Sequence, residues 1–154
     1  MSYFPEQLYE VTISAAACKT LNSVPVLLVP GKAGCIVDIK SCLIRYTPGT
    51  IPFNPDWSGT TDIFQVYTGN NSSINSVFSN YTVDCADFVD QTTSEMAIVG
   101  NWWVSGLAVP LSDVEGQGIY LLQYDSNSNF PTGVNWTAGN GSLTVFTKAA
   151  YIEA

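Results

Sequence analysis

Histidine is absent from the chain. That one absence removes the usual general base at neutral pH, the Ser-His-Asp arrangement and most transition-metal sites. Basic residues are nearly as scarce. Five Lys and Arg stand against thirteen Asp and Glu in 154 residues, a formal charge of −8. Lys19, Lys32, Lys40, Arg45 and Lys148 are scattered singly. Phosphate binding depends on clustered Lys and Arg to release counterions, so no nucleic-acid partner is expected. Long apolar runs are missing too. The longest, Val24 to Val29, contains Pro25 and falls far short of the roughly 20 residues of a membrane helix, so no membrane partner is expected. The first residues, Met1-Ser2-Tyr3-Phe4-Pro5-Glu6-Gln7, have neither the positive region nor the apolar core of a secretory signal, and export is not expected. Sequons beginning at Asn70, Asn71, Asn80, Asn135 and Asn140 are therefore read as accidents of an Asn-, Ser- and Thr-rich composition.

Cysteine is present four times, at 18, 35, 42 and 85, but never as the Cys-x-x-Cys hook of a zinc site. In a regular strand Cys35 and Cys42 would point to opposite faces. The thiols read as small buried hydrophobes, with a Cys18–Cys35 disulfide across neighbouring strands left open.

What the chain does have is alternation. Tyr9 to Ser14 alternates apolar and polar side chains, as a half-buried antiparallel strand does. In Cys35 to Tyr46 the apolar phase changes: Val37 and Ile39 share one face, and Cys42, Ile44 and Tyr46 the other. A bulge near Ser41, or burial on both sides, would explain the change. Ile63–Tyr67, Met96–Val104, Ile119–Tyr124 and Ser142–Ile152 are further strands, and only Asp84–Glu95 and Ala15–Leu21 leave room for a helical turn or two. The expected fold is all-β: a single-domain antiparallel β-sandwich, jelly-roll-like, of seven to nine strands over residues 9–154. Residues 1–8, aromatic and containing Pro5, are expected to form an N-terminal arm. Two long polar connections, 47–62 and 125–141, are expected to be surface excursions.

No stretch satisfies the requirements of a catalytic, cofactor or metal site. Gly31-Lys32-Ala33-Gly34 lacks the phosphate-loop spacing and leads into a strand, Cys35-Ile36-Val37-Asp38-Ile39, rather than a helix whose N-terminus could hold an anion. Lys32 is expected at the exposed tip of a turn. Asp125-Ser126-Asn127-Ser128-Asn129 opens like a calcium loop, but Phe130 replaces the turn glycine and Trp136 the bidentate glutamate. Asp84, Asp87 and Asp90 read as a solvated acidic face. Adjacent Trp102 and Trp103 must point to opposite faces of a strand, which leaves one of them for the surface or an interface.

The segment Asn22-Ser23-Val24-Pro25-Val26-Leu27-Leu28-Val29, followed by the Pro30-Gly31 turn and the strand from Cys35, resembles the N-terminal half of small β-sandwich virion structural proteins of tailed bacteriophages. Gly139-Asn140-Gly141-Ser142-Leu143-Thr144-Val145, ending at Tyr151, is similar to that family's closing strand. The two ends cover about a third of the chain, and its middle shows no such match. The resemblance implies a non-enzymatic capsid cement or decoration protein, made in the host cytoplasm and carried on the virion surface. It also implies a homotrimer bound to the major capsid protein lattice without a cofactor. Tyr3, Phe4, Trp57, Trp102 and Trp103 are the candidate interface residues.

Two readings from other classes stand beside it. A tail-fibre, receptor-binding or carbohydrate-binding sandwich would stack sugar rings on Trp57, Trp103 or Trp136. A glycan-cleaving enzyme would need a carboxylate pair, for which Asp113 and Glu115, sharing a face of a strand, are the candidates.

Overall fold

The computed structural model describes residues 2–55, 62–69, 81–99, 111–125 and 135–154. Among these, alternating stretches become eight strands: β1 (Gln7–Ile13), β2 (Val26–Val29), β3 (Cys35–Thr47), β4 (Asp62–Thr68), β5 (Tyr81–Asp84), β6 (Glu95–Ile98), β7 (Ile119–Asp125) and β8 (Ser142–Glu153). Among the described residues helix is confined to α1 (Ala15–Cys18), α2 (Ala86–Val89) and a 3-10 turn at Leu111–Asp113. Ser14 starts α1 by accepting a 3.3 Å hydrogen bond from the Ala17 amide on its side-chain oxygen, as an N-cap does.

All strand pairs are antiparallel, in two four-stranded sheets of order β1-β8-β3-β6 and β2-β7-β4-β5. The two packed antiparallel sheets are as the alternation led us to expect, and strands exchanged between them in this order form a jelly roll. The Pro30-Gly31 turn therefore does not close a hairpin. It carries the chain from one sheet, at β2, to the other, at β3. Its fit depends on glycine, since a Cβ on Gly31 would lie 2.0 Å from the Gly116 carbonyl oxygen.

The phase change in β3 is a bulge: the pairing with β8 shifts between Ile39 and Ser41. One extra residue turns the strand by one side-chain step, so Val37, Cys42, Ile44 and Tyr46 all enter the core. The same shift corrects the expectation for two thiols. Cys35 and Cys42 are both buried instead of facing opposite ways. No disulfide joins Cys18 to Cys35; all four cysteines are free and buried, and Cys18 lies on α1 rather than on a strand beside Cys35.

The core lies between the sheets, with Ile13, Ile44 and Val145 facing Val29, Phe64, Val66 and Leu121. One end is aromatic, and the long connections supply it. Phe53 stacks at 5.3 Å from Trp136 and 6.2 Å from Tyr46, and Phe64 lies 5.8 Å from Trp136 and 6.4 Å from Phe88. The connections expected to be surface excursions thus each send a ring inward, at about 1.5–3 kcal/mol per buried large side chain. They are also joined to each other. The Asn54 side-chain oxygen accepts from the Thr137 and Ala138 amides at 3.1 and 2.9 Å. Asn140 accepts from the Ile51 amide and donates to Thr50, both at 2.9 Å, so its sequon amide is already committed.

Candidate interaction surface

Several expected site residues are accounted for by structure alone. Trp136 is 4% exposed and donates from Nε1 to Asp62 Oδ2 at 2.9 Å, which removes it from the rings available to stack on a sugar. Asp113 ends a 3-10 turn that precedes Glu115, so the two do not share a strand face as expected. Trp57, Trp102, Trp103 and the 126–130 part of the calcium-like stretch lie outside the described residues. Among the described residues, no group of three or more Cys, Asp or Glu could hold a metal ion, and no helix is long and apolar enough to cross a membrane. Burial pushes the Cys18 thiol up to about 12 and the Cys42 thiol to about 11, and holds Cys85 well above the ordinary range. Thiols so placed are poor nucleophiles.

Tyr3 and Phe4 belong to a segment fastened to the end of β8. Tyr3 bridges to Ile152, the Phe4 amide donates to the Tyr151 carbonyl at 2.9 Å, and the Glu153 amide donates to the Ser2 carbonyl at 3.0 Å. The Phe4 ring sits under Lys32, whose Nζ is 3.4 Å from its centroid and 5.6 Å from that of Tyr151. Tyr151 in turn donates its hydroxyl to the Pro30 carbonyl at 2.8 Å. Lys32 is exposed at the tip of its turn, as expected, with its charge over two rings.

The second feature of this side is the outer face of the β1-β8-β3-β6 sheet. Strand register sets Glu10, Phe146, Leu43 and Ile98 in one row across all four strands. The next row is Thr12, Thr144, Arg45 and Met96. Inward-pointing neighbours such as Val145 and Ile44 fill the core, so this row points away from it. Phe146 and Leu43 are half-buried, Ile98 is 77% and Met96 59% exposed, and Leu8 on β1 is exposed too. Arg45 lies over the Phe146 ring, 5.5 Å from its centroid. Lys148 pairs with Glu6, whose carboxyl it holds below the usual range, and Lys40 pairs with Asp38. Sequence reasoning placed Phe146 in the Ser142–Ile152 strand but missed the row. The row exists only through pairings between residues as far apart as Glu10 and Phe146.

No family model and no curated protein matches the chain. Among solved structures, "Structure of infectious bursal disease virus Gx strain" aligns with 99% of this chain at 15% identity and a TM-score of 0.31. The chain spans 38% of that protein's length. A structure of Mud crab tombus-like virus aligns with 98% of this chain and 82% of its own at 12% identity and a TM-score of 0.27. Similarity of this degree carries no argument about role.

Proposed function

We propose that the chain is a virion structural protein, not an enzyme, and that it acts as a cement or decoration subunit on an assembled capsid. The observation that carries this reading is the strand order β1-β8-β3-β6 over β2-β7-β4-β5, the jelly roll used by viral capsid domains among others. A fold alone does not assign a role. The segments that resemble phage virion proteins add to it, because they form β2, the cross-sheet turn, β3 and β8. In this reading the partner is the major capsid protein. The subunit stabilises the shell by mass action, since it binds the assembled lattice and not free capsid subunits. The carbohydrate-binding reading loses one of its three candidate rings, because Trp136 is in the core.

The test is to mix the purified chain with capsid shells that lack it. Saturable, stoichiometric binding that raises the temperature of shell disruption is expected. Shells that ignore the chain, while tail fibres or cell envelopes retain it, would overturn the reading.

A further inference from the structure

The outer face of the β1-β8-β3-β6 sheet differs from the rest of the molecule in charge. This face and the segment beside it hold Lys40, Arg45 and Lys148, three of the five cations, together with Glu6, Glu10 and Asp38, three of the thirteen carboxylates. Among the residues whose side chains are described, two cations and six carboxylates lie elsewhere, so this face is less acidic than the rest of the described surface. The charges placed on this face balance, and Phe146 and Leu43 give it an apolar row.

Its charges also leave one unmatched pair. Lys40 is taken by Asp38 and Lys148 by Glu6, whereas neither Arg45 nor Glu10 has an ion-pair partner among the described residues. Arg45 stands two strands and one row from Glu10. At about 4.8 Å per strand and 6.8 Å per row, that is a separation of roughly 12 Å, too far to pair within one copy.

We propose that two copies of the chain pack face to face on this sheet about a two-fold axis over Phe146, with Arg45 of each copy against Glu10 of the other. In a two-fold contact, if residue i meets j then j meets i, so one unmatched cation and one unmatched carboxylate on a charge-balanced face complement each other twice. Phe146 and Leu43 lie at the middle of the contact, with Ile98 and Met96 of the edge strand β6 extending its apolar area, and aromatic, Met and Arg side chains are those enriched in the cores of such interfaces. A strongly acidic or basic partner would find no net opposite charge here. The proposal concerns the isolated protein and does not depend on the virion role.

Sedimentation equilibrium of the full chain tests it. A dimer is expected. Arg45 and Glu10 are both exposed, and circular dichroism checks that Arg45→Glu and Glu10→Arg keep the fold. Each sets like charges together twice per dimer and is expected to weaken association by at least about tenfold. The double charge reversal is expected to restore it, and Ile98→Lys to abolish it. A monomer at all concentrations, a trimer, or a double variant no tighter than the singles would overturn the proposal. Monomers that bind capsid shells, and lose that binding with Arg45→Glu, would assign the face to the shell instead.

Discussion

Trp136 Nε1 and Asp62 Oδ2 meet at 2.9 Å inside the core, joining the connection before β8 to the first residue of β4. Both residues are buried, at 4% and 3% exposure. The indole therefore fills the aromatic end of the core and supplies a hydrogen bond to a desolvated carboxylate.

Removing these two contributions separately is expected to give two sizes of effect. Trp136→Phe keeps most of the ring but takes a donor from Asp62, at about 1–3 kcal/mol. Trp136→Ala also leaves a cavity beside Phe53 and Phe64, at about 3–5 kcal/mol. Urea unfolding of the two variants checks the order. Equal losses would show that packing is not what Trp136 supplies.

Gln123 is fully buried on the core side of β7, in phase with Ile119 and Leu121, and neither its side-chain oxygen nor its nitrogen has a hydrogen-bond partner. An unpaired amide in an apolar setting costs about 1–3 kcal/mol. Gln123→Met, similar in length and without that cost, is expected to raise the unfolding midpoint. A lower midpoint would mean that the amide is satisfied in solution.

These positions also mark how far the sequence could be read. The β3 bulge was legible because apolar residues changed phase within a single strand, between Ile39 and Cys42. The two-sheet antiparallel sandwich followed from alternation repeated along the chain. The burial of Trp136 and Phe53 was not legible, because both lie in Pro-, Gly- and Asn-rich connections whose local chemistry signals surface. Nor was the row from Glu10 to Ile98, since register between distant strands is set by the assembled sheets and not by neighbours in sequence. Of the five interface candidates, Tyr3 and Phe4 can be placed, against β8, and the three tryptophans lie outside the described residues.

The buried thiols make stability depend on alkaline pH. A thiol whose folded pKa is raised keeps its proton in the native state while the unfolded chain loses it. The stability is then complete below the unfolded value of 9.0 and is lost as pH rises through the folded values, about 11 for Cys42 and about 12 for Cys18. Urea midpoints are expected to fall from about pH 9 upward, and Cys42→Ala to flatten the fall. In the native state at pH 8 a thiol reagent is expected to react slowly, and in urea with four thiols per chain, since none is bridged. Two reactive thiols in urea would contradict the free state of all four.

Lys32 gives the last prediction, because a glycine-lysine turn between apolar runs admits two roles that one substitution separates. In an anion site, Lys32→Ala would abolish binding of a nucleotide or inorganic phosphate and leave the N-terminal segment alone. Here the ammonium sits over Phe4 and Tyr151, and the segment is also held by backbone bonds to β8 and by the Glu6–Lys148 pair. An exposed cation–π contact is worth about 0.5–1 kcal/mol, so Lys32→Ala is expected to shift global stability by no more than that. Its larger effect falls locally. Amide exchange at Phe4 should quicken by about two- to fivefold, the factor matching that energy, while the amides paired between β3 and β8 stay unchanged. Lys32→Arg keeps a cation over the rings and is expected to retain the protection. Unchanged exchange at Phe4 in Lys32→Ala would show that the backbone bonds hold the segment without the lysine.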